Sequence, residues 1–70
     1  MSEADMQMVV ALDTLNEVFC EMVVARRMAR RAAKHGATAA AERFALAAAG
    51  HRQTFVWWSE RVAEAAIEAF

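Results

Sequence analysis

The sequence predicts an all-α fold: an antiparallel two-helix hairpin that pairs as a homodimeric four-helix bundle. Three observations predict it. The 70 residues include no proline and only two glycines, Gly36 and Gly50, alanine is the commonest residue, and hydrophobic types reach 59%. Such a composition favours helix almost everywhere, and the β-branched residues are too few and too scattered to build a strand. Apolar residues also recur at alternating steps of three and four along most of the chain, which is the heptad spacing of packed helices. Finally, Gly36-Ala37-Thr38 is the one place where a glycine is followed closely by a good N-cap residue, and that pattern marks a turn between helices. A chain this short holds one hydrophobic core, so residues 1–70 form a single domain.

Helix 1 is expected from about residue 3 to about residue 35. Ser2 can cap it with Asp5 three positions on, while Lys34 and His35 put positive charge in the last turn, where the helix dipole favours it. Its apolar series runs through Ala4, Met8, Ala11, Leu15, Val18, Met22, Ala25, Ala29 and Ala32 without a polar member. Residues 36–38 form the turn. Helix 2 is expected from about residue 39 to about residue 69, capped by Thr38, with Glu42 near its first turn and only Gly50 as an interruption. Its series is Ala41, Phe44, Ala48, His51, Phe55, Trp58, Val62, Ala65 and Ala69, in which His51 alone is polar.

Folding the chain about Gly36 and Ala37 lays these two seams against each other. Phe44 then falls near Ala29, His51 near Met22, Trp58 near Leu15 and Ala65 near Met8. Small residues dominate beside the turn, predicting a close helix approach there. Leu12, Leu15, Phe19, Phe55 and Trp58 predict a wider, aromatic layer towards the open end. The residues assigned to the hairpin core or a dimer core are Leu15, Phe19, Met22, Phe44, His51, Phe55, Trp58 and Val62. His51 faces the seam with the Glu21 carboxylate in reach, the arrangement of a core histidine rather than a general base.

Both helices keep apolar groups off this seam. Met6, Val10, Cys20, Val24 and Met28 lie on the far side of helix 1, Leu46, Gly50 and Trp57 lie opposite the seam of helix 2, and Val56, Ala63 and Ile67 lie on its flank. A monomer rarely exposes so much contiguous apolar surface. A second copy is therefore expected, together with a heterologous protein partner. Charge placement predicts how the copies pair. Residues 1–21 carry Glu3, Asp5, Asp13, Glu17 and Glu21 and no base, whereas Arg26, Arg27, Arg30, Arg31, Lys34 and Arg43 cluster towards the loop. An antiparallel dimer sets each basic tip beside an acidic terminus, and a parallel one piles like charges together.

Several function classes are disfavoured. A net charge of -1 and an isoelectric point near 6.1 do not fit a wholesale polyanion binder. The longest stretch without a charged residue, Phe44 to His51, is too short for a membrane span, and the acidic start Ser2-Glu3-Ala4-Asp5 does not fit a secretory leader, so a cytoplasmic protein without a membrane partner is expected. Cys20 is the single cysteine and reads as a small hydrophobe at an interface. No Glu-x-x-His or His-x-x-x-His spacing aims two ligands at one metal. The expectation is no enzyme, no cofactor, no metal and no small-molecule substrate.

What remains is recognition. Adjacent residues on a helix diverge by about 100°, so Trp58 takes the seam and Trp57 faces outward, over the notch at Gly50. The expected function is a small protein-binding regulator or inhibitor that occludes a target surface. Leu46, Gly50, Trp57, Val24 and Met28 supply affinity, and Arg27, Arg30, Arg31 and Lys34 supply orientation towards an acidic surface. In size and architecture the chain resembles phage-encoded inhibitors of host regulators, anti-activators and secretion chaperones. A nucleic-acid-binding regulator using the same basic residues is the alternative. In topology the whole chain is similar to RNA-binding hairpin dimers of the Rop kind, without a shared motif, but no aromatic residue lies among the arginines to stack on bases. A small chaperone or structural assembly subunit is the third class.

Overall fold

A computed structural model describes residues 2–69, with the side chain of Ala69 left aside. Two helices make up the fold, α1 from Glu3 to Lys34 and α2 from Thr38 to Ala69. Each spans 32 residues, about 48 Å at 1.5 Å per residue. They pack antiparallel as a rod measuring 51 × 18 × 13 Å.

The ends of α1 follow directly from local chemistry. The Ser2 hydroxyl accepts from the Asp5 N–H at 3.1 Å, and the Asp5 carboxylate accepts from the Ser2 N–H at 3.4 Å, closing a reciprocal capping box. At the other end Gly36 adopts φ +76°, a left-handed conformation that glycine enters without a Cβ penalty. The Ala37 N–H donates to the Ala32 carbonyl at 2.9 Å and the Gly36 N–H donates to the Ala33 carbonyl at 3.1 Å, the paired bonds of a Schellman cap. That closure shifts the turn one residue towards the N-terminus relative to the sequence expectation. Helix α1 stops at Lys34, and α2 already includes Thr38. The Ala37 carbonyl accepts the first helical bond, from Ala41 at 2.9 Å, so Ala37 holds the capping position predicted for Thr38.

The seam follows the predicted series. Met22, Ala25 and Ala48 are buried, and Met8, Ala11, Leu15, Val18, Ala29, Ala32, Ala41, Phe44, His51, Phe55, Trp58 and Val62 are half-buried. At the open end Ala4 and Ala65 are exposed, and Ala69 lies outside the described side chains. Two cross-helix contacts fix the register as expected. His51 Nδ1 lies 3.4 Å from Glu21 Oε2, and the Phe19 and Phe55 rings are tilted at 5.8 Å between centroids.

One part of the aromatic layer differs. Leu12 and Phe19 are 48% and 45% exposed, although Leu15, Phe55 and Trp58 of the same layer are half-buried. Leu12 and Phe19 each follow a seam residue by one position, about 100° round the helix. They touch the facing helix from the side and leave much of their surface open.

Candidate protein interface

The two open sides of the rod carry different chemistry. One side holds a shallow groove of about 410 Å³ lined by Cys20, Val24 and Met28 of α1 and by Phe44, Ala47 and His51 of α2. Val24 is 58% exposed and Met28 39%. Further along α2 stands Trp57, half exposed, with its ring edge-on to Trp58 at 5.1 Å and 86°. The Arg61 guanidinium lies 5.0 Å from the centre of the Trp57 ring. Arg61 is itself held by Glu64 at 3.4 Å and Glu60 at 3.8 Å. These contacts hold the indole in one place before any partner arrives, which lowers the entropy lost on binding.

The sequence places Trp57 outward, over the notch at Gly50, and the structure adds Trp58 and Arg61 as its ring neighbours. Gly50 lies in the interior of α2, and a Cβ built on it meets nothing within 4 Å. No contact inside the hairpin requires glycine there. Its carbonyl accepts from the Thr54 hydroxyl at 3.1 Å. Leu46 stands 73% exposed and Ile67 77%.

The other side is small and basic. Arg26, Arg30 and Arg52 border a groove of about 380 Å³ floored by Ala29, Ala45, Ala48 and Ala49. Of the four basic residues predicted to act together, only Arg30 lines this groove; Arg27, Arg31 and Lys34 lie outside it. Arg26 belongs to the basic cluster of α1 read from the sequence, whereas Arg52 of α2 is an addition from the structure. The heptad pattern carries the signal for Arg52: one position past His51 it flanks the seam of α2 on the side that Arg26 and Arg30 flank on α1. Among the described residues, none of Arg26, Arg27, Arg30, Arg31, Lys34, Arg43 and Arg52 has a carboxylate within 4.0 Å.

No group of three or more His, Cys, Asp and Glu side chains converges among the described residues. Cys20 is a free, exposed thiol. Among the described residues, no helix is long and apolar enough to cross a membrane. Compared with protein-family models, curated proteins and solved structures, the chain matches none.

Proposed function

We propose that this chain is a small protein-binding regulator that works as an antiparallel homodimeric four-helix bundle and acts by covering a surface of its target. The observation that carries the reading is the imbalance between core and surface. Among the described residues only Met22, Ala25 and Ala48 are buried hydrophobics, while Leu46, Ile67, Val10, Val24, Met6 and Trp57 stand 50–77% exposed. Apolar surface on that scale is disfavoured in water and is the usual mark of a binding face. Trp57, held by Trp58 and Arg61, is the anchor. Val24, Met28, Leu46 and the open Gly50 position complete the apolar contact, and Arg27, Arg31 and Lys34 orient an acidic partner.

The test is Trp57→Ala, read by affinity capture from the native host and by sedimentation in parallel. The reading expects loss of a stoichiometric protein partner with an unchanged dimer mass. Retention of that partner by the variant contradicts the anchor role. A nucleic-acid role is the second reading, favoured by the arginines that make no ion pair within the hairpin. It expects co-purifying nucleic acid, and binding at low salt that weakens steeply as salt rises. Absence of binding at low salt removes it.

A further inference from the structure

We infer that the two copies of the proposed dimer meet through one particular side of the rod, the side carrying Phe19, Val56 and the Arg26–Arg30–Arg52 groove, and that the Trp57 side stays outward for the target. The inference rests on the dimer reading above and adds the choice of face. Three independent features select it: the apolar content of the side, its charge at the midpoint, and its shape.

Phe19 sits at the midpoint of α1 and stacks on Phe55, close to the midpoint of α2. It is nevertheless 45% exposed, as are its neighbours Leu12 at 48%, Val9 at 45% and Val56 at 46%. A large aromatic half open at the centre of a long face is where binding energy concentrates in an interface. A face of 51 by 18 Å offers on the order of 900 Å², against the roughly 800 Å² per partner that a stable complex of standard size buries.

Antiparallel pairing with full overlap puts the two-fold axis at the level of Phe19. Every α1 residue then meets the α1 residue equally far beyond that level on the second copy. On the chosen side, the residues near the axis are Asn16, Phe19 and Val23 of α1, none of them charged, and Val56 and Arg52 of α2, so a single charge per copy. On the opposite side they are Glu17 and Glu21, both exposed. Pairing there would force four carboxylates together at the centre of the interface, and like charges held in contact oppose association.

Away from the axis the chosen side complements itself. Leu12 and Val9 of one copy come level with the alkyl stems of Arg26 and Arg30 of the other, and Asp5 comes within a turn of the second copy's Arg30. Along α2, Ala45 meets Ala63 and Ala49 meets Ser59 of the second copy, so the two α2 helices can approach closely. Bulky groups at the open end thus fit small groups and arginine stems at the loop end.

Cross-linking of the full chain decides the face, because native Cys20 points away from it. Asn16→Cys in a Cys20→Ser background is expected to give a covalent dimer with a short bismaleimide, and the native protein, whose only thiol is Cys20, is not. Phe19→Glu is expected to yield a monomer at micromolar concentration, and Trp57→Glu a dimer, with helix content by circular dichroism confirming that both fold. Efficient linkage through Cys20 and none through Asn16→Cys, or a dimer that survives Phe19→Glu and dissociates with Trp57→Glu, overturns the choice of face alone. A native chain that sediments as a monomer overturns the dimer reading itself.

Discussion

The loop half and the open half of this hairpin solve the same packing problem in opposite ways. Towards the loop the seam is mostly alanine, Ala25, Ala29, Ala32, Ala41 and Ala48 with Phe44 as the bulky exception, and among the described residues two of the three buried hydrophobics are alanines of this run. Towards the open end the seam is Met8, Leu15, Trp58 and Val62, far bulkier, yet none of these is buried. An open groove of about 720 Å³ runs there between Met8, Ala11 and Leu12 on α1 and Trp58, Val62 and Ala66 on α2. Small residues let two backbones approach, which buries Ala25 and Ala48, although Ala29 and Ala41 still line an open groove of about 460 Å³ beside the turn. Large ones hold the helices apart and leave their flanks open, which is the gap the proposed second copy would cover.

Substitutions can sharpen or break that comparison. The largest effect is expected at the buried Met22, where Met22→Ala removes packed side chain and costs about 2–3 kcal/mol in urea unfolding. Next, Ala48→Leu overfills the alanine layer and costs about 1–3 kcal/mol, while the same enlargement at exposed Ala65 changes stability by about 0.5 kcal/mol or less. Equal losses at the two alanines would erase the distinction between the halves. At the turn, Gly36→Ala forces a Cβ into the left-handed region at φ +76° and costs about 1 kcal/mol, read as a lower melting temperature. The change at Gly50 has the opposite sign. Gly50→Ala adds a Cβ into open space and is expected to stabilise by about 0.5–1 kcal/mol. Any loss of target binding in that more stable variant assigns the glycine to partner approach.

Much of the fold was legible because helix pairing depends on local spacing. The seam series, the Ser2–Asp5 cap, the Gly36 turn and the His51–Glu21 and Phe19–Phe55 registers all follow from the three-and-four alternation folded about one glycine. The turn was off by a residue because Schellman bonds from Gly36 and Ala37 draw the chain straight into α2, which propensity at Thr38 alone does not reveal. The site was less legible. Period assigned Trp57 outward correctly, yet its cation–π contact with Arg61 depends on side-chain direction along α2. The basic residues of α1 were treated as one flank, but neighbours such as Arg30 and Arg31 diverge round the helix. Only Arg30 joins Arg26 and Arg52. Phe19 does meet Phe55 in the expected aromatic layer, but its offset from the seam leaves it half open.

The central claim is that one hairpin is incomplete and that a second copy covers its half-open flank. Thermal unfolding followed across a wide range of protein concentration tests this most directly, because linked dissociation makes the midpoint depend on concentration. The account predicts a melting temperature that climbs steadily as the protein is concentrated. A cooperative transition at one fixed temperature, from a species of 7.8 kDa, would contradict it.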